Sequence, residues 1–126
     1  MNNFSIIIPA YNEEKTIGKV VKEACQTKAD EIIVVDDASR DNTSQIVLNL
    51  QKTDKRIILV RNKLNKGPGG SRKIGLLKST KDIVLFFDAD IKNVNKIMFE
   101  KLVFPIIRNK ADLVMAAFDN FGRITE

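Results

Sequence analysis

Residues 31–37 read EIIVVDD, and this stretch decides the fold class. Its aliphatic residues do not alternate with polar ones, so a strand formed here would be buried on both faces. Strands of that kind are typical of parallel sheets covered by helices on both sides. Similar runs recur along the chain, and we predict five strands: Phe4–Ile8, Glu31–Val35, Arg56–Val60, Asp82–Phe87 and Asp112–Ala117.

Segments with helical periodicity separate these strands. The first predicted helix has an apolar face with the spacing i, i+3, i+4, i+7 and i+8, formed by Ile17, Val20, Val21, Ala24 and Cys25. A second helix is predicted after an N-cap at Asp41, a third over Gly70–Ser79, and a fourth over Lys96–Arg108 that Pro105 must kink or restart. The pattern predicts one α/β domain over residues 1–126, with a mostly parallel twisted sheet, helices on both faces and right-handed crossovers.

Composition excludes several classes of protein. One Cys and no His rule out a disulfide framework, a Cys/His zinc site and His-dependent nucleophilic catalysis. The net charge of +5 is compatible with nucleic acid, an acidic membrane surface or a phosphorylated ligand. Lys and Arg are scattered without a run of like charge and aromatic residues are few, so no nucleic-acid partner is predicted. Short apolar runs and no basic leader predict a cytoplasmic protein without a transmembrane segment.

Carboxylates follow three of the predicted strands: Glu13 and Glu14 after the first, Asp36 and Asp37 after the second, and Asp88 and Asp90 after the fourth. The carboxyl ends of parallel strands share one edge of the sheet, where ligands bind in folds of this class. Each cluster alone is also explained by helix capping or turn formation. Three clusters at one edge favour a site instead, because like charges held close need a cation or a hydrogen-bonding ligand.

The sequence Asp88-Ala89-Asp90 predicts a cation site. In an extended backbone, residues two apart face the same side, so both carboxylates can engage one Mg²⁺ or Mn²⁺ ion. Such ions are commonly held by one or two carboxylates together with substrate phosphates, which points to a nucleotide partner. Residues 65–72 (NKGPGGSR) place glycines and basic side chains at a helix start, where backbone N–H groups favour anions, although a bare helix-entry turn explains them equally well.

Four motifs in order, SIIIPAYNEE, VVDDAS, GPGGSRKIGL and IVLFFDAD, resemble the family 2 glycosyltransferases with the GT-A fold. The resemblance implies a nucleotide diphosphate sugar donor, UDP- or GDP-linked, with Mg²⁺ or Mn²⁺ as cofactor. It implies that residues 9–13 and Asp37 hold the base and ribose, that Arg72 lies near the diphosphate, and that Asp88-Ala89-Asp90 is the DxD element. The implied nucleotide-binding residues are Pro9, Ala10, Tyr11, Glu13, Asp37, Gly69, Arg72, Asp88 and Ala89, with Asp90 and Asp88 as metal ligands.

The last third of the chain resembles glucosyl-3-phosphoglycerate synthases, in which residues matching Arg123 and Thr125 hold the acceptor phosphate. Those synthases usually carry Lys at the position of Pro68 and Ser at that of Asp37. The implied acceptor is a small phosphorylated molecule such as 3-phosphoglycerate, or a polyprenyl phosphate. The resemblance also implies that residues 1–126 are the N-terminal part of a longer GT-A domain. A nucleotide-binding fragment without turnover and a phospho-receiver module are the alternatives, and the sequence leaves a homo-oligomer open.

Overall fold

A computed structural model describes residues 3–107, 117–118 and 124–125. Its main sheet contains four parallel strands, β1 (Phe4–Ala10), β2 (Glu31–Asp36), β3 (Ile57–Arg61) and β4 (Ile83–Phe86), in the order β3-β2-β1-β4. Two short strands, β5 (Ala117–Phe118) and β6 (Ile124–Thr125), pair antiparallel in a separate sheet. The α/β class and the parallel sheet are confirmed.

Helices cover both faces of the main sheet, as the sequence predicts. They are α1 (Ile17–Cys25), α2 (Thr43–Gln51), α3 (Gly67–Lys78) and α4 (Lys96–Ile107). Alternate residues of the strands divide into two clusters: Ile6 and Ile32 lie with the side of the sheet that packs α1, α2 and α4, whereas Ile7 and Ile33 face α3. Both central strands are therefore buried on their two faces, which is why their sequences lack polar alternation.

Helix α3 lies very close to the centre of the sheet. A Cβ atom added at Gly75 would come 2.4 Å from a methyl carbon of Ile7 on β1 and 3.3 Å from one of Val35 on β2. The missing side chain at Gly75 thus allows the backbone of α3 to pack directly against β1. This contact sets the height of the helix above the sheet and the position of the residues at its N-terminal end.

Several predicted boundaries differ from the structure. Helix α3 starts at Gly67, three residues earlier than predicted, because Pro68 at its first turn needs no hydrogen-bond acceptor there. The N-cap of α2 is Asn42 rather than Asp41, although the Asp41 carboxylate still accepts a hydrogen bond from the Thr43 amide. Helix α4 continues through Pro105 without a restart. The fifth predicted strand, residues 112–117, lies outside the described residues except for Ala117, which forms part of β5 and not of the main sheet.

The strand order excludes one of the alternative functions. A phospho-receiver domain has the order 2-1-3-4-5, so the observed β3-β2-β1-β4 order excludes that hypothesis. In a doubly wound sheet of this order, the chain reverses direction across the sheet between β1 and β4. A crevice is expected outside the carboxyl ends of these two strands, which precede Tyr11 and Asp88.

In the part of the chain that the structure describes, no helix combines the length and apolar character needed to cross a bilayer.

Candidate functional site

A cavity of about 360 Å³ opens at the carboxyl ends of the strands. It is lined by residues from four segments: Pro9, Ala10, Tyr11 and Glu13; Asp37; Asn65, Gly67, Pro68, Ser71 and Arg72; and Asp88, Ala89 and Asp90. The three acidic clusters identified in the sequence therefore do converge. Every residue expected to bind nucleotide lines this cavity except Gly69, which is exposed on α3 outside it.

The loop after β1 presents an aromatic side chain to the cavity. Tyr11 is 47% exposed, and the next residue, Asn12, has a φ of 52°, a left-handed conformation that Asn tolerates better than most residues. The backbone N–H of Asn12 donates a hydrogen bond to the Ser39 hydroxyl. The side-chain oxygen of Asn12 accepts one from the backbone N–H of Arg40, and each distance is 2.8 Å. Asn12 therefore joins two loops and does not cap α1, whose N-cap is Thr16. This leaves the ring of Tyr11 free to cover a flat ligand.

The two adjacent carboxylates after β2 have different roles. Asp36 is 1% exposed and accepts hydrogen bonds from the Ser39 amide and the Ser44 hydroxyl. These contacts shape the loop between β2 and α2. Asp36 does not line the cavity, so only Asp37 of the pair faces the site.

Asp37 is 4% exposed and holds the start of α3. Its carboxylate accepts hydrogen bonds from the Lys66 amide at 2.7 Å, the Gly67 amide at 2.9 Å and the Asn62 side chain at 2.9 Å. Burial raises the pKa of Asp37, but these hydrogen bonds together outweigh it, so the pKa lies below its usual value. Asp37 is therefore an anion at this helix N-terminus, where sequence analysis left open a bound anion or a bare helix-entry turn.

The Asp88-Ala89-Asp90 segment follows β4 and changes direction within the motif. The backbone is a turn at residues 89 and 90, not the extended chain that the sequence argument assumed. Both carboxylates nevertheless line the cavity. The buried Ala89 between them fixes the turn, because its carbonyl accepts a hydrogen bond of 2.6 Å from the Thr16 hydroxyl at the start of α1.

Opposite charges meet across the cavity mouth. The Arg72 guanidinium lies 3.5 Å from the Asp88 carboxylate, and both side chains are well exposed, at 44% and 61%. An exposed pair of this kind contributes little to stability, on the order of 0–1 kcal/mol. Either side chain can therefore leave this ion pair and bind a charged ligand at little cost in free energy.

The residues present fit a divalent cation that the substrate helps to hold. Burial and the negative charge of Asp90 raise the pKa of Glu13, and Asp41 adds to this against the opposing hydrogen bond from Thr16. The part of this shift that Asp90 causes reflects its negative charge, which a cation would relieve. Among residues 3–107, no three acidic, Cys or His side chains are already grouped as metal ligands. Asp88 and Asp90 would thus supply the protein ligands and leave the remaining positions to phosphate oxygens.

Sequence analysis did not predict two residues that shape the site, and two residues that it did predict are not fully described by the structure. Asn62 and Thr16 each orient a cavity residue through a side-chain hydrogen bond. Neither stands out in the sequence, because its partner is far away along the chain. The expected acceptor residue Arg123 lies outside the described residues, and for Thr125 only the backbone position in β6 is described.

Comparisons with known proteins agree with the fold. Residues 5–125 match glycosyl transferase family 2. The chain is 35% identical to a UDP-N-acetylglucosamine–dolichyl-phosphate N-acetylglucosaminyltransferase of Methanococcus voltae, over 89% of this chain and 50% of that protein. It is also 35% identical to a dolichyl-phosphate beta-glucosyltransferase of Trichomonas vaginalis, over 68% of this chain and 30% of that protein. The chain thus spans half or less of the length of these relatives.

Solved structures show the same architecture. TarS of S. aureus (residues 1–349) in complex with UDP superposes with a TM-score of 0.77 at 27% identity, covering 98% of this chain and 38% of TarS. Glucosyl-3-phosphoglycerate synthase of Mycobacterium tuberculosis, in complex with Mn²⁺, UDP and glucosyl-3-phosphoglycerate, gives a TM-score of 0.72 at 27% identity, covering 83% of this chain and 39% of the synthase. The sheet order, the cavity at the strand ends and a sequence match over nearly the whole chain lead to one conclusion: this chain belongs to glycosyl transferase family 2.

Proposed function

We propose that this chain binds a nucleotide diphosphate sugar and a divalent cation, and that the complete enzyme transfers the sugar to a phosphorylated acceptor. The observation that carries the proposal is a single cavity that brings together an exposed aromatic ring, a buried carboxylate, a guanidinium and two exposed carboxylates. Tyr11 and Asp37 suit a base and ribose. Arg72, Asp88 and Asp90 suit a diphosphate with its metal ion.

UDP is the donor nucleotide we favour, and GDP is the alternative. The names of the related structures support both, because TarS is described with UDP and a mannosyltransferase of Pyrobaculum calidifontis with GDP-Man and Mn²⁺. The relative of Methanococcus voltae is named for a UDP-linked sugar and aligns with more of this chain than the mannosyltransferase does. Mn²⁺ is the proposed ion, with Mg²⁺ as the alternative.

The roles of the side chains follow from their chemistry. A metal ion held by Asp88 and Asp90 would neutralise charge on the diphosphate as it leaves the sugar. Arg72 presents a planar fork of donors that matches two phosphate oxygens, and within residues 3–107 its ion-pair partner is the exposed Asp88. We infer that Arg72 leaves Asp88 for the diphosphate when the donor binds, which also frees Asp88 for the metal.

For the acceptor we favour a polyprenyl phosphate over 3-phosphoglycerate. Relatives at 35% identity are named for dolichyl phosphate, whereas glucosyl-3-phosphoglycerate synthase shares 27%. Arg123 and Thr125 remain the proposed contacts to the acceptor phosphate in either case. Positioning of the second substrate supplies much of the rate in a two-substrate transfer. We therefore expect this chain alone to bind donor and to transfer little.

Two measurements test the proposal. The first is a thermal-shift panel of UDP, GDP, CDP and ADP with and without Mn²⁺, in which ligand at about a hundred times its Kd stabilises by roughly 2.7 kcal/mol. We expect the largest shift with UDP and Mn²⁺, and no shift with any nucleotide would refute the proposal.

The second measurement is transfer of radiolabelled sugar to undecaprenyl phosphate and to 3-phosphoglycerate, by this chain and by a version extended through an acceptor-binding half. Transfer to the lipid phosphate by the extended version supports the proposal. Transfer only to 3-phosphoglycerate would overturn the acceptor assignment. Donor binding with no transfer by either version would favour a nucleotide-binding protein without turnover.

A further inference from the structure

Positive charge is concentrated in one segment of the chain. Residues 55–81 contain nine Lys and Arg residues and neither Asp nor Glu. The whole chain has a net charge of only +5, so the remainder is net negative. The net charge is therefore uneven along the chain, although Lys and Arg themselves occur in most segments and no more than two are adjacent in this one, at Lys55-Arg56 and Arg72-Lys73.

The structure exposes part of this charge together with exposed leucines, on and just before α3. We define the α3 outer surface as Lys63, Leu64, Lys66, Lys73, Leu76 and Leu77. The leucines are among the most exposed large apolar side chains of the described residues: Leu64 is 77% exposed, Leu76 50% and Leu77 76%. Lys73, Leu76 and Leu77 have the spacing i, i+3 and i+4, and they lie on the side of α3 away from Gly75, which packs on the sheet.

The cations of this surface are available to a partner. The two ion pairs found within residues 3–107 use Arg56 and Arg72, so the three lysines of the α3 outer surface are outside them. All three are exposed: Lys63, Lys66 and Lys73. A surface of unpaired cations around exposed leucines matches two features of an anionic bilayer, its surface charge and its apolar interior.

We propose that the α3 outer surface binds the headgroup region of an anionic lipid bilayer, with the three leucines inserted between the headgroups. Nucleic acid fits this surface less well, because residues 55–81 contain no Phe, Tyr or Trp on which a base could stack. A second copy of the chain fits less well too, since two surfaces of the same positive sign would repel each other.

The orientation that this binding imposes is relevant to the site. The same segment contributes the inner wall of the cavity through Asn65, Gly67, Pro68, Ser71 and Arg72. A chain resting on its α3 outer surface would therefore hold the cavity beside the lipid headgroups, where a lipid-linked phosphate is found. Membrane binding itself does not depend on the proposed transfer reaction, and it is tested without nucleotide.

The test is co-sedimentation of the 126-residue chain with vesicles of phosphatidylcholine containing 30 mol% phosphatidylglycerol, compared with pure phosphatidylcholine vesicles. We expect binding to the anionic vesicles that is strongly reduced in 0.5 M NaCl, and little binding to the neutral ones. A Lys near an anionic surface strengthens partitioning about fivefold, so Lys63→Gln with Lys73→Gln should weaken it roughly 25-fold. Leu76→Ser with Leu77→Ser should weaken it about tenfold or more.

Matched variants on the opposite face separate a defined surface from net charge or general stickiness. Lys19→Gln with Lys22→Gln on α1 removes the same charge, and Leu48→Ser with Ile97→Ser removes two exposed apolar side chains from α2 and α4. Both should change partitioning less than threefold. Thermal unfolding and UDP binding of every variant show whether the fold and the cavity are intact, and the single variant Leu77→Ser serves if the double variant is unstable.

Four results would overturn the proposal: no binding of the parent chain to anionic vesicles, equal losses in the matched variants, a dimer in sedimentation equilibrium that Leu77→Ser dissociates, or tighter binding to a 20-nucleotide RNA than to the vesicles. If the parent chain binds anionic vesicles but not UDP, the proposed donor site is refuted and the proposed membrane surface is supported. If it binds UDP but not the vesicles, the membrane surface is refuted and the donor site is supported.

Discussion

Replacement of Asp37 tests how the cavity is held together. Asp37→Ala removes an acceptor of three hydrogen bonds of 2.7–2.9 Å from a carboxylate that is 4% exposed. A hydrogen bond to a charged group contributes roughly 1.5–3 kcal/mol, but the two loop amides can regain water once the side chain is shortened, so we expect a total loss of about 3 kcal/mol. For a chain of 126 residues this corresponds to a decrease in Tm of roughly 10 °C.

Asp37→Asn separates the charge from the shape. It keeps one acceptor oxygen and should cost about half as much as Asp37→Ala. Asp82→Asn is the matched control, because Asp82 is an exposed carboxylate at the other end of the sheet that accepts one hydrogen bond from Asn3. It should change the free energy of unfolding by less than about 0.5 kcal/mol. The assay is urea and thermal denaturation at pH 7.

The pH dependence provides an independent check. The folded pKa of Asp37 lies below its ordinary value of 3.8, so its contribution to stability is complete above that value and is lost as the pH falls through the folded pKa. The difference in unfolding free energy between the parent and Asp37→Asn should be equal at pH 7 and pH 5 and smaller at pH 3. A decrease in Tm below 2 °C for Asp37→Ala, or a difference that grows towards low pH, would refute the assigned hydrogen-bond network.

The remaining predictions concern the metal site and the backbone. Asp90→Ala should abolish the Mn²⁺-dependent part of UDP affinity with Tm unchanged, and Asp88→Ala should have a smaller effect; titration calorimetry with and without Mn²⁺ would contradict this if the Asp90 variant bound as tightly as the parent. Ala38→Gly should stabilise by roughly 0.5–1 kcal/mol in urea denaturation, because relief of its φ of 62° exceeds the added entropy of the unfolded chain. Gly75→Ala should destabilise by about 1–3 kcal/mol, since its Cβ would meet a methyl carbon of β1 at 2.4 Å. The same change at Gly18, where the nearest atom is at 3.4 Å, should be neutral or stabilise by up to about 1 kcal/mol, and equal Tm values for the two variants would disprove the close approach of α3.

The sequence alone determines the local elements and the edge of the sheet that carries the site. Runs such as residues 31–35 form buried strands because their side chains are apolar on both faces, and the apolar spacing of residues 17–25 produces α1 because it matches the helical repeat. These patterns depend on neighbours within a few residues. The carboxylates that follow the strands must then lie at one edge, since all four strands of the main sheet are parallel.

Only the tertiary structure decides what each polar residue does. Asp36 and Asp37 are the same residue type in adjacent positions, yet one shapes a loop and the other anchors a helix that begins 30 residues later. Likewise, Arg72 and Asp88 come together because β1 and β4 are neighbours in the sheet. The physical reason is that hydrogen bonds and ion pairs act over a few ångströms in space. Their partners are therefore set by how the strands pair and where α3 packs, which local sequence spacing does not record.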